Sequence, residues 1–407
     1  MISIDPSNKV PLNTSSTVSV LLPLFFAYFA TALLVILPGT VFWRRFLLPF
    51  TLCFALRAAA SLDVSGGDPA MAHANQSFAL FMLMMSMRCI AWSVYSDQVE
   101  PLPGTPAATN ARSGTWGSLL LNACDLAMGV RELSWRGPSK PKVLRQPHPP
   151  QRSSTFIRRR TLSVVFHLVL GDFFQFALQL FSPKLGTPAG DSVFDPSLPA
   201  LQRYLRSTLM SLLLGCMIYA ATRAFYDAIS VVGVLIFRQS SSQWPPLFSS
   251  PWRATSLREL WGERWHHLNR SWIINLGAKP MYHIFGPAGG VLGAFAISGL
   301  MHDLGLRAAG RGSDFLAVVG FFFMMGVGVL LESMWIAACG KSPSGVIGWL
   351  WTFGWLALWG NHIANAWLVR GVAAGAVIPE EYRPSKMAWA LITAQNVAKG
   401  IVSPASK

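Results

Sequence analysis

Between Phe315 and Cys339 the chain reads FLAVVGFFFMMGVGVLLESMWIAAC, with Glu332 its one charged side chain. A helix needs about 20 apolar residues to cross the hydrocarbon of a bilayer, and this run exceeds that. Inside hydrocarbon no water is present to satisfy backbone N–H and C=O groups, so a spanning segment closes its own hydrogen bonds as a helix or belongs to a closed barrel. Its length selects the helix. Comparable apolar runs occupy residues 18–38, 46–62, 76–94, 161–181, 205–237, 285–305 and 346–372. Together they predict an all-α polytopic membrane protein with about eight transmembrane helices in a bundle. Residues 114–130, carrying Asn122 and Asp125, read as an interfacial or half-buried helix, and 386–402 as a short amphipathic tail.

Composition excludes the soluble classes. Only 13% of residues are charged and 52% are hydrophobic, against about 25% charged in ordinary soluble domains. The first run is long for the core of a signal peptide and is followed by others, so it is expected to remain as an uncleaved span. Five scattered cysteines lack metal-ligand spacing, which predicts neither zinc nor disulfides. No internal repeat is visible, and the chain is read as a single integral-membrane domain over 1–407. Nothing in the sequence fixes an oligomeric state.

The net charge of +15 is concentrated around Arg131, Arg136, Lys140, Lys142, Arg145, Arg152, Arg158, Arg159 and Arg160. A proline- and arginine-rich connection over 138–160 between spans is expected on the cytosolic side, where it would meet anionic headgroups or guide a polyanionic cosubstrate such as coenzyme A. Aromatic residues do not interleave with these cations, so no nucleic-acid surface is predicted.

Two stretches carry the polar chemistry. His302 and Asp303 interrupt the apolar run 285–305, and ionisable groups at that depth mark reaction or transport paths more often than packing. Residues 256–272, SLRELWGERWHHLNRSW, gather Arg258, Glu259, Glu263, Arg264, His266, His267 and Arg270 between Trp261, Trp265 and Trp272. The tryptophan spacing predicts one face of a helix. An interfacial amphipathic helix explains tryptophan clusters as well, but has little need of paired histidines. Pro245 and Pro246 separate this segment from the helix before it. Glu332, Asn361 and His362 are further polar groups within apolar runs.

The order PPLFSSPW, SLRELWGERWHH and SGLMHD resembles the wax-synthase-like branch of the membrane-bound O-acyltransferases (MBOAT), whose pattern runs approximately P-P-L-F-x-x-P-x-x-x-x-S-L-x-x-F-W-G-x-R-W-H and then S-G-x-x-H-E. The likeness covers about 245–332, expected to be the motif-bearing catalytic region; the N-terminal half resembles the branch in hydropathy alone. Leu260 stands where phenylalanine is usual, and Asp303 where glutamate is usual. The resemblance implies a bundle enclosing a catalytic tunnel, an acyl-CoA donor with no permanently bound cofactor or metal, and a hydrophobic alcohol acceptor. Fungal members acetylate terpenoid or meroterpenoid alcohols in secondary metabolism from acetyl-CoA, and plant members make wax esters. A multi-pass location in the endoplasmic reticulum is likewise implied.

These expectations assign roles. Histidine suits deprotonation of an alcohol near neutral pH, so His302 is the candidate general base. His266 is the candidate donor to the thioester or oxyanion. Trp261, Arg264, Trp265, Arg258 and Arg270 are candidates to bind coenzyme A, since guanidinium suits phosphate. Asp303, Glu332, Asn361 and His362 are candidates to line the substrate tunnel, although Glu332 reads equally as a structural partner for a polar group in the bundle, and an interhelical hydrogen bond accounts for Asn361 and His362 as well. A long-chain ester synthase is the other enzymatic reading. A transporter using His302, Glu332 and His362 is the reading from another class, disfavoured because the two halves do not repeat.

Overall fold

The computed structural model describes residues 9–94, 99–103, 105–129, 132, 134–136, 151–266 and 268–398. A helical entry at Thr14–Ser16 and a π-helical turn at Thr17–Leu21 lead into Leu22–Val35 (α1). Val41–Ser61 (α2) and Ala72–Val94 (α3) follow, then the short Pro106–Ser113 (α4) and Trp116–Met128 (α5). The second half holds Ser153–Gln179 (α6), Ala200–Leu235 (α7), Lys279–Ala308 (α8), Phe315–Cys339 (α9), Gly345–Leu368 (α10) and Pro384–Ala398 (α11). Among the described residues strands are confined to two staples: β1 (Val10–Pro11) runs parallel to β2 (Leu62–Asp63), and β3 (Glu100–Pro101) antiparallel to β4 (Trp135–Arg136).

Six stretches among the described residues are long and apolar enough to cross a membrane: Thr14–Val35, Pro69–Val94, Ser153–Gln179, Ala200–Leu235, Arg270–Ala308 and Phe315–Cys339. The expected count of about eight is not confirmed by these six. α2 and α10 are of similar length, but α2 contains Arg44, Arg45 and Arg57, and α10 contains Asn361, His362 and Asn365 among its tryptophans.

Charges inside the apolar helices are satisfied locally, as a low-dielectric interior requires. Arg88 on α3 donates to the Tyr28 hydroxyl at 2.6 Å and to the carbonyls of Leu126 and Ala127 at 2.7 and 3.0 Å. It thereby caps the C-terminal carbonyls of α5, which a helix end leaves orphaned. Asp227, wholly buried on α7, pairs with Arg160 and with Arg223 at 2.9 Å, and accepts from the Ser163 hydroxyl at 2.6 Å. Asp172 on α6 pairs with the fully buried Arg383 at 2.6 Å and accepts from Ser385 N at 2.9 Å, fixing α11 to the bundle.

Several expected boundaries move. The basic loop expected over 138–160 lies outside the described residues as far as 150, but from Ser153 it is the first turns of α6. Arg160 is buried rather than cytosolic, because Asp227 and the Trp244 carbonyl draw it inward. α7 continues unbroken for 36 residues past Arg223 and Asp227; Asp227 pairs with Arg223 one turn before it and with Arg160 on α6. α6 and α7 form the largest helix–helix interface, α8 packs on α9, and α10 joins α7 to α9. These two walls, α6–α7 and α8–α10, bound the space that matters next.

Candidate functional site

The motif segment folds as a succession of short turns rather than one helix. Ser256 caps the turn Leu257–Glu259 by accepting from Glu259 N at 3.0 Å. A π-helical turn, Leu260–Arg264, follows; such turns recur at functional sites. It closes with Trp265 N donating to Leu260 O, after which the backbone of Trp265 is extended. The chain re-enters helix at Arg270–Trp272 and passes through a second π-helical stretch, Ile273–Ala278, into α8.

The expected tryptophan face forms only in part. Trp261 packs with Leu257, Phe321 and Phe322, Trp265 with Phe248 and Tyr226, and Trp272 with Ala91 and Met301. Trp261 and Trp265 still meet edge to face, ring centroids 5.9 Å apart, whereas Trp272 packs in a separate cluster beyond the π turn and the extended residue after it.

Two carboxylates hold this irregular backbone. Glu332 on α9, 2% exposed, accepts from Leu257 N, from Arg258 N at 2.9 Å and from the Trp351 indole at 2.8 Å. Glu259 accepts from Thr255 N at 2.8 Å and from Arg264 Nε at 2.7 Å. Burial pushes the Glu259 carboxyl up, but these donors outweigh it and hold it below the usual range. Arg264 also donates to the Ser249 carbonyl at 2.9 Å, so it closes the motif on itself.

Within α8, Gly286 adopts φ 67° and ψ −159°, followed by Pro287, and the helix kinks there. That backbone region is open to glycine almost alone. Closer to the motif, a side chain at Gly293 would meet Gly277 O at 2.5 Å, so glycine lets the second π stretch lie directly on α8.

Between the two walls lies a cavity of about 1610 Å³. His302 faces it from α8. Its Nδ1 lies 2.8 Å from Ser298 O, and a carbonyl oxygen can only accept, so Nδ1 carries the proton and the neutral ring keeps its lone pair on Nε2. The ring stacks between Phe322, centroids 4.6 Å apart, and Trp367, 6.2 Å apart. His266, Trp261, Trp265, Arg258 and Arg270 line the same cavity. So do Lys279, His283 and His167, whereas among the described residues no lining side chain is a carboxylate. Arg258 donates to Ser333 Oγ at 2.6 Å and Arg270 to Gly262 O at 3.2 Å. The indole N–H groups of Trp261 and Trp367 are buried without an acceptor among the described residues.

The structure thus brings together His302, His266, Trp261, Trp265, Arg258 and Arg270, and leaves the other candidates outside the cavity lining. Arg264 is absorbed by Glu259 and Ser249. Asp303 is turned away from the cavity and pairs with Arg307 one turn on, at 2.7 Å. Glu332 serves as the anchor of the motif. Asn361 accepts from Ser211 Oγ at 2.7 Å and donates to Thr208 Oγ1 at 3.2 Å, which is an interhelical tie between α7 and α10. His362 is exposed on the far side, against Phe194 and Trp359. His267 lies outside the described residues. Sequence reasoning missed Trp367, His283 and His167. The signal for His167 is present, since Ser163 precedes it by four residues as Ser298 precedes His302.

The fold and site define a multi-pass integral membrane protein with a histidine-centred, cation-lined cavity among its helices. Residues 244–324 match the model of the membrane bound O-acyl transferase family. An acetyltransferase, eriL, from Hericium erinaceus is 27% identical over 60% of this chain and 67% of its own length. An acetyltransferase, aurG, from Calcarisporium arbuscula is 25% identical over 44% of each chain. A long-chain-alcohol O-fatty-acyltransferase from Simmondsia chinensis is 35% identical over 21% of this chain and 27% of its own. The matched stretch thus spans less than half of some of these relatives. The segment that matches the membrane bound O-acyl transferase family model is the one that builds the His266 and His302 wall of the cavity.

Proposed function

We propose that this cavity transfers an acyl group from acyl-CoA to a hydroxyl of a hydrophobic small molecule, with residues 245–332 as its catalytic region. Acetyl from acetyl-CoA and a terpenoid or meroterpenoid alcohol are the first reading, in secondary metabolism and at the endoplasmic reticulum, following the fungal acetyltransferases among the relatives. The observation that carries the reading is the hydrogen bond from His302 Nδ1 to Ser298 O, which leaves Nε2 as an acceptor facing the cavity.

The alcohol O–H donates to Nε2 and loses its proton as its oxygen bonds to the thioester carbonyl carbon. The oxyanion of the tetrahedral intermediate needs donors set in place beforehand; His266 is the first candidate, with the Trp261 and Trp367 indoles beside it. The C–S bond then breaks, the imidazolium returns its proton to the thiolate sulfur, and ester and free thiol leave. A lining with Arg258, Arg270 and Lys279 and without carboxylates suits the phosphates of coenzyme A.

The long-chain reading is favoured by cavity size, since about 1610 Å³ exceeds the roughly 300–1,000 Å³ of ordinary ligand pockets. Purified protein assayed with acyl-CoA donors from two carbons upward separates the two readings. His302→Ala should lower turnover about 10²–10⁴-fold, the usual share of a general base, with its elution profile unchanged. Near-normal turnover in that variant overturns the assignment of the base.

A further inference from the structure

His167, on the α6 wall and outside the matched segment, repeats the arrangement of His302. Its Nδ1 lies 2.7 Å from Ser163 O and 3.1 Å from Ser163 Oγ. The Ser163 hydroxyl hydrogen is given to Asp227 at 2.6 Å, so both serine oxygens act toward the ring as acceptors. Asp227 is in turn held by Arg160 and Arg223. The ring is therefore fixed with its proton on Nδ1 and its lone pair on Nε2. Among its neighbours in the cavity lining, Thr208 and Ser211 are committed to Asn361. Tyr219, on α7, lies 5.9 Å from the His167 ring and also lines the cavity.

An imidazole acceptor beside a phenol donor complements an alcohol, which offers one donor and accepts through its lone pairs. Building on the acyl-transfer reading above, the geometry points to His167 and Tyr219 as a second hydroxyl-recognition site. The acceptor class is then an apolar molecule bearing at least two oxygens: one acylated at His302, the other held by α6 and α7. A site made to hydrogen-bond a substrate hydroxyl discriminates against the analogue lacking it, because its buried polar groups are left unpaired.

The test uses the full-length protein in detergent with acetyl-CoA and decanoyl-CoA as donors. The acceptors are two flexible series, linear 1-alkanols from six to sixteen carbons and the α,ω-diols of the same lengths. The diols act as a ruler, because some length spans the separation of the two sites. Wild type should show, over a narrow window of length, a KM for the diol about tenfold below that of the matching alkanol, the scale of one net hydrogen bond. His167→Phe should collapse that KM ratio to near one, with the loss in KM rather than kcat. His167→Gln, which keeps an acceptor, should restore part of it. A diol advantage at no length, or one that survives His167→Phe, overturns the second site. Absence of transfer to every acceptor, alkanols included, instead overturns the acyl-transfer reading itself.

Discussion

Removal of the Glu332 carboxylate tests whether the motif is held in shape from outside. Three donors converge on that group: Leu257 N, Arg258 N and the Trp351 indole N–H. The two amides open a helical turn and have no intrahelical partners. Each buried donor left without an acceptor costs about 1–3 kcal/mol, so Glu332→Ala should lose at least about 3 kcal/mol. Glu332→Gln keeps one carbonyl oxygen but turns an NH₂ toward a donor, and about half that loss is expected. The pair Glu332→Gln and Trp351→Phe should couple in a double-mutant cycle by about 1 kcal/mol, because they share one hydrogen bond. Equilibrium unfolding in mixed micelles, followed by tryptophan fluorescence, reads the stability. Acyl transfer by the folded fraction reads the motif, and a misplacement of about 1 Å lowers turnover roughly 10²-fold. Wild-type stability in Glu332→Ala would refute this account and leave the segment from Ser256 to Arg264 to hold itself.

Three further outcomes are expected. Gly286→Ala should destabilise the protein by about 1–3 kcal/mol, read by the same unfolding assay, because the backbone at φ 67° and ψ −159° excludes a β-carbon though the space around it is open. Arg383→Ala, which leaves Asp172 buried and unpaired, should cost about 3–5 kcal/mol and make the peptide bonds around α11 sensitive to limited proteolysis before those of α9. Asp63 sits in the link after α2. Burial raises its carboxyl, but donors from Ser65, Asn75 and Gly67 outweigh burial and hold it at about 2. Its stabilising effect is therefore complete above the unfolded-state value of about 3.9 and fades as pH falls toward 2. Hydrogen-exchange protection of the Ser65 and Gly67 amides should be flat from pH 7 to 5 and decline below 4, and a decline already at pH 6 would contradict this.

What could be read in the sequence follows from where the determining contacts lie. The ends of α9 were legible because its signals are local: Asp314 accepts from Ala317 N at the start, and Gly340 takes φ 71° at the end. The start of α6 was not, because Arg158, Arg159 and Arg160 read as a solvated loop. The group that buries Arg160 is Asp227, 67 positions away. Resemblance located His266 and His302 in the cavity-forming segment, but it could not say which polar neighbours face inward. Buried polar groups in apolar helices such as Asp303, Glu332 and Asn361 are consistent with either a tunnel lining or a structural tie. Each finds its partner in Arg307, in the motif backbone or across α7.

The cavity lining keeps its cations and histidines, while the nearby carboxylates Asp227, Glu259, Asp303 and Glu332 are all engaged behind it by arginine, serine, tryptophan or backbone donors. A free carboxylate in the cavity would repel a polyanionic donor and favour protonation of the imidazoles, taking the lone pair from Nε2 of His302 and His167 alike. Each of these acids is instead held in a wall by its own donors, and the two imidazoles face the same apolar space. Under the acyl-transfer proposal, that separation of acid from histidine lets one chamber take a charged thioester and an alcohol together.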